Sequence, residues 1–142
     1  MKNVNLFGPK VTPNALEDMN ILTLISMVRK GIKFNLFDEF AGQSPFSMHE
    51  WSGFLHLSER TMLRYKNEQK TFDVPQSEKI VEIYILYKKG IEVFGDSKKF
   101  NSWLETENLA LGGVKPKTLL DSSFGINLLD DELGRIEYGV LA

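Results

Sequence analysis

A chain of 142 residues has room for one compact domain or two small helical ones, and too little for a large enzyme barrel or a doubly wound sheet with a second domain. Its 42% hydrophobic and 25% charged residues exclude wholesale disorder, and its lack of cysteine removes disulfides, thiolate zinc sites, iron–sulfur clusters and cysteine nucleophiles together. The formal net charge of −2 argues against a module held to nucleic acid by a general basic excess, so any DNA binding must be local.

No apolar run approaches the roughly 20 residues that a membrane-spanning helix needs, and Met1-Lys2-Asn3-Val4-Asn5 lacks the apolar core of a signal peptide. The expected location is the cytoplasm, with no membrane partner. From Asn14 to Lys30, the residues Leu16, Met19, Leu22, Ile25 and Val28 recur at helical spacing, with Asn14 as N-cap and Gly31 as stop. Ile32 to Phe37 alternates like a strand, yet Phe34, Phe37 and Phe40 share a helix face, and helix is the preferred reading.

Ser47 and Glu50 form an S-x-x-E capping box ahead of Trp51, Phe54 and Leu55. Ser58 can cap a second helix beginning at Glu59, which leaves His56-Leu57 as a tight connection and gives the outline of a helix-turn-helix. The same outline fits two packed core helices of any all-helical protein. Between Ser58 and Lys70, Arg60, Arg64, Lys66 and Lys70 stand against Glu59 and Glu68, the best phosphate-facing stretch in the chain or else a solvated helix face.

Ile80, Tyr84, Tyr87, Ile91 and Phe94 then mark one long helix from about Gln76 to Gly95, with Pro75 at its start and Ser77 as a cap. Asp96 or Ser97 opens a short helix carrying Phe100, Trp103 and Leu104. Leu109 to Pro116, with its paired glycines, breaks that helix, and Pro116 starts another short one through Leu120. Ile126, Leu129, Leu133, Ile136 and Val140 form a last helical face. Divided after Pro75, the chain carries net +1 in its first part and net −3 in its second.

Catalytic and metal motifs fail on inspection. His49-Glu50 lacks the second histidine of H-E-x-x-H, because position 53 is Gly53. Gly90 to Ser97 has the glycine spacing of a phosphate loop, but Asp96 occupies the lysine position and would repel phosphate. The acids Asp130, Asp131 and Glu132 do not fit a calcium loop and suit the dipole at the first turn of the final helix. Neither G-x-S-x-G nor G-x-G-x-x-G occurs, and the aromatic series from Tyr84 to Trp103 has the helix-packing period. No enzyme activity, metal or cofactor is expected.

Several strings resemble one family in order and spacing, over about residues 47 to 142. They are Leu57 to Arg64, Ser77 to Ile80, Phe94-Gly95-Asp96, Trp103-Leu104, Ala110-Leu111-Gly112-Gly113-Val114-Lys115-Pro116, Leu119-Leu120, Gly125 and Leu133-Gly134-Arg135-Ile136-Glu137-Tyr138-Gly139. The chain is similar to the Xre/MbcA/ParS-type antitoxins. The resemblance implies an all-α fold, with an N-terminal Xre-like part over 1–75 holding a helix-turn-helix at about 47–68, and a C-terminal toxin-binding and dimerisation domain over 76–142.

It also implies a bacterial type II antitoxin that forms a homodimer, occludes the active site of an NAD-consuming RES-domain toxin and represses its own operon. Ser58, Arg60, Thr61 and Arg64 match the start of the family's recognition helix, with Tyr65 and Lys66 beside them, and their partner would be operator DNA. Leu111, Gly112, Gly113 and Pro116 match its conspicuous loop, where a turn needing positive φ and close packing would also account for the glycines. Arg135, Glu137, Tyr138, Val140, Leu141 and Ala142 match its toxin-facing end. The sequence departs from the pattern in its first 46 residues, at Trp51 to Leu55 and at Gln76. A free-standing transcriptional regulator without a toxin is the alternative.

Overall fold

The computed structural model describes residues 21–139. In order these form α1 (Ile21–Lys30), α2 (Phe34–Gln43), α3 (Met48–Leu55), α4 (Glu59–Glu68), α5 (Val74–Phe94) and α6 (Ser97–Glu105). Two 3-10 turns come next, Leu109–Leu111 and Pro116–Leu119, and then α7 (Ser123–Glu137). Among the described residues the fold is all-helical, with two isolated β-bridges, Lys33 to Thr71 and Asn108 to Val114. By compactness the chain divides into Met1–Val81 and Glu82–Ala142, a boundary that falls inside α5.

The first unit is built around aromatic side chains. Phe34, Phe37 and Phe40 lie on one face of α2 and are all buried, so the helical rather than the alternating reading of this segment holds. Trp51, 0% exposed, takes the rings of Phe37, Phe40, Phe46 and Phe54 edge-on at 5.0 to 5.8 Å. Each such pair adds about 0.5–1.5 kcal/mol to the burial of the rings themselves. Phe72 extends the cluster by packing on Phe34, Phe37 and Tyr65. On α1, Val28 is buried while Leu22 and Ile25 remain exposed; Asn14 and the start of that expected helix lie outside the described residues.

Ser77 does not cap α5. It is completely buried, accepts a hydrogen bond from the Ile32 amide at 2.9 Å and donates to the Phe72 carbonyl at 3.2 Å. Two stretches of chain outside the helices are thereby satisfied by one hydroxyl. Gly31 ends α1 with its amide on the carbonyls of Met27 and Val28.

In the second unit, Tyr84, Tyr87, Phe100, Leu104, Leu111, Leu120, Ile126, Leu129 and Leu133 are buried. Phe94, Phe100 and Trp103 pack ring against ring; Phe100 takes the core role the spacing predicted, while Phe94 and Trp103 are half-buried at its edge. Asp96 caps α6 by accepting from the Lys99 amide at 2.8 Å, and Gly95 simply closes α5, so no phosphate loop exists there. Gly125 lies against the Leu119 carbonyl, where a Cβ would overlap the oxygen.

Asp130, Asp131 and Glu132 lie in the middle of α7, not in its first turn, so the helix dipole does not explain them. Asp130 instead takes Lys89 at 2.8 Å, and Glu132 takes Arg135 at 3.0 Å. The last helical face also ends early. Leu133 is fully buried, but Ile136 is 38% exposed and Val140 lies outside the described residues.

Candidate functional site

The helix-turn-helix is closed by local chemistry. Ser47 accepts from the Glu50 amide at 3.1 Å, and Glu50 accepts from the Ser47 amide at 3.0 Å, completing the capping box at the start of α3. His56 takes the left-handed conformation (φ 56°), which turns the chain, and the Leu57 amide returns to the Ser52 carbonyl at 3.0 Å. Ser58 then starts α4, accepting from the Thr61 amide at 3.0 Å while donating to the Thr61 hydroxyl at 2.9 Å. His49 and Glu59 meet across the two helices at 3.2 Å.

The residues expected to face DNA do not share one environment. Arg60, Arg64 and Lys66 are exposed, and Arg64 lies over the Tyr65 ring at 5.6 Å. Tyr65 itself is 7% exposed and, with Met62, forms the inward side of α4. Ser58 and Thr61 bond to each other at the cap. The outward stripe is Arg60, Leu63, Arg64 and Asn67, with Leu63 58% exposed. Sequence reasoning omitted Leu63 and Asn67, although both lie at i+3 or i+7 from Arg60.

The loop between the 3-10 turns is rigidly tied. Asn108 accepts from the Ala110 amide through its side chain at 2.9 Å and pairs by backbone with Val114. The Gly113 amide donates to the Asn108 carbonyl at 2.8 Å. Gly112 and Gly113 both have positive φ (82° and 83°), while a Cβ on either would meet nothing within 4 Å. Backbone conformation, not close packing, therefore demands these glycines. Glu105 holds Lys117 at 2.5 Å and Lys115 at 3.7 Å beneath the loop.

Of the expected partner-facing residues, Leu111 and Pro116 are buried and belong to the core. Arg135, Glu137 and Tyr138 are exposed, Tyr138 by 79%, and Val140, Leu141 and Ala142 lie outside the described residues. Two residues that the sequence reading did not single out are the most exposed large hydrophobic side chains among the described residues: Leu109 is 95% exposed and Phe124 is 90% exposed. Titration is perturbed elsewhere, at two buried tyrosines and a half-buried lysine of α5. Burial pushes the Tyr84 phenol up to about 12, raises Tyr87 against a lowering hydrogen bond to Asn101, and lowers Lys88.

Comparison with known proteins identifies the two parts. Residues 23–83 match the antitoxin Xre-like helix-turn-helix domain, and residues 89–139 match the antitoxin Xre/MbcA/ParS C-terminal toxin-binding domain. The chain belongs to the Xre/MbcA/ParS antitoxin family. Antitoxin Xre of Yersinia enterocolitica is 23% identical over 120 residues, covering 84% of this chain and 81% of that protein. Antitoxin Xre of Photorhabdus laumondii is 22% identical over the same shares. A chain in the crystal structure of the M. tuberculosis MbcT-MbcA toxin-antitoxin complex shares the fold, with TM-score 0.53 and 15% identity over 69% of this chain and 86% of that one. Among the described residues of this antitoxin, no helix is long and apolar enough to cross a membrane.

Proposed function

We propose that this antitoxin forms a homodimer, binds a RES-domain toxin that consumes NAD, blocks the entrance to its active site with the segment from Arg135 to Ala142, and represses its own operon through α4. The observation that carries the reading is the order of two modules on one chain. A helix-turn-helix whose α4 exposes Arg60, Arg64 and Lys66 precedes a toxin-binding domain whose end exposes Arg135, Glu137 and Tyr138.

The final segment suits an occluding role on physical grounds. Leu133 is the last fully buried side chain of α7, so Arg135, Glu137 and Tyr138 contribute little to the core and are free to bury against a partner. Tyr138 offers a large apolar area with one polar tip. The protein itself supplies no chemistry in this reading: it fills space that the toxin's substrate needs.

Removing Arg135 to Ala142 tests the proposal in cells that co-express the neighbouring gene product as the candidate RES-type toxin. The truncated protein should no longer rescue growth, while binding of promoter DNA persists. Continued rescue would show that occlusion lies elsewhere. Failure of the intact chain to co-purify with the neighbouring gene product would favour the free-standing regulator.

A further inference from the structure

Arg60, Leu63, Arg64 and Asn67 occupy i, i+3, i+4 and i+7 of α4, one stripe on the side away from buried Met62 and Tyr65. With Thr61 and Glu68 they line a shallow open hollow on the surface. The side chains of Arg60 and Asn67 form no ion pair or hydrogen bond among the described residues, and the Arg64 side chain rests on the Tyr65 ring. Leu63 stands among them 58% exposed, an apolar side chain in a cationic frame.

The frame decides what covers Leu63. An apolar protein surface closing over it would bury two guanidinium groups with the single carboxylate of Glu68 in the same hollow to offset them, at a desolvation cost of several kcal/mol for the charge left unpaired. Duplex DNA supplies phosphates for the arginines and, in the major groove, one apolar group within the base edges: the C5-methyl of thymine. Leucine has no donor or acceptor, so it gains nothing from phosphate and nothing from the other base edges. We propose that Leu63 is a specificity-determining residue that packs on a thymine methyl, fixing an A·T pair at one position of each operator half-site.

This inference rests on the DNA-binding reading of α4. The test uses the full chain and duplexes of its footprinted promoter in which each thymine is replaced singly by deoxyuridine, which lacks only the methyl. Affinity is measured by gel shift at fixed salt. One thymine per half-site should weaken wild-type binding about fourfold when replaced, the worth of one buried methyl group.

Leu63→Ala should bind the all-thymine duplex more weakly and show no penalty for uracil at that same position. Leu63→Met, which keeps apolar reach, should retain the penalty. Because Leu63 is exposed, both variants are expected to melt with the wild type. Equal uracil penalties in wild type and Leu63→Ala, or none at any position, would overturn the assignment while leaving promoter binding intact. Absence of promoter binding by the wild type would overturn the DNA-binding reading as well, a separate and recognisable result.

Discussion

Ser77 shows how much one hydroxyl carries. It is 0% exposed and bonded to the Ile32 amide and the Phe72 carbonyl, so Ser77→Ala leaves two buried backbone groups without a partner. The expected loss is about 1–3 kcal/mol, read as a lower urea midpoint with an unchanged slope. Tyr84 gives a second residue-level prediction. Its pKa is raised by burial from 10.0 to about 12, so the unfolded chain releases the phenolic proton first. The contribution is complete below pH 10 and is lost as pH rises from 10 towards 12. Tyr87 acts in the same direction, whereas Lys88, lowered from 10.5 by burial, acts oppositely and only up to that pH. Stability measured by urea unfolding at pH 9, 10 and 11 should fall, and Tyr84→Phe should show a smaller fall. An equal fall in both proteins would mean that Tyr84 does not control the alkaline limb. The sequence concealed the Ser77 role because it depends on a distant partner: Ser77 meets Ile32, 45 positions away, while its spacing near Pro75 suggested a cap.

At the scale of elements, local chemistry was readable and orientation was not. The capping box at Ser47 and Glu50, the Ser58 cap and the stops at Gly31 and Gly95 arise from contacts spanning three or four residues, so the spacing alone reveals them. Ser58→Ala should cost about 1 kcal/mol by freeing the Thr61 amide, with Ser58→Asp restoring most of it; a melting comparison of the two checks this. Which side of α4 faces inward was less legible, because Tyr65 is amphipathic and sits among cations. Its ring packs on Phe72, which lies in a loop whose placement no helical period encodes. The paired glycines illustrate the same division. Their sequence announces a turn, and the structure shows positive φ with open space around both, so Gly112→Ala should cost about 1–2 kcal/mol through backbone strain and not through a clash. A thermal melt of Gly112→Ala beside Gly113→Ala should show similar losses, since neither added methyl meets a neighbour.

At the scale of the molecule, average composition hides an uneven distribution of charge, and the proposed function assigns the two parts different tasks. The chain totals −2, yet α4 exposes Arg60, Arg64 and Lys66 without carboxylate partners among the described residues. Promoter binding should therefore be strongly salt-dependent but limited to this local set. Each neutralised phosphate contributes about −0.9 to the slope of log affinity against log salt, so a dimer presenting three such cations per copy should give a slope of about −5. Replacing Arg60 and Arg64 with alanine removes four of those contacts and should leave a slope of about −2, with weaker binding across all promoter sequences. The same variant should still co-purify with the toxin, because both substitutions lie in the unit ending at Val81, while the toxin-binding domain matches residues 89–139. If the slope stays near −5, the phosphate contacts lie outside the exposed face of α4. If toxin capture falls along with DNA binding, the two tasks are not carried by separate parts of the chain.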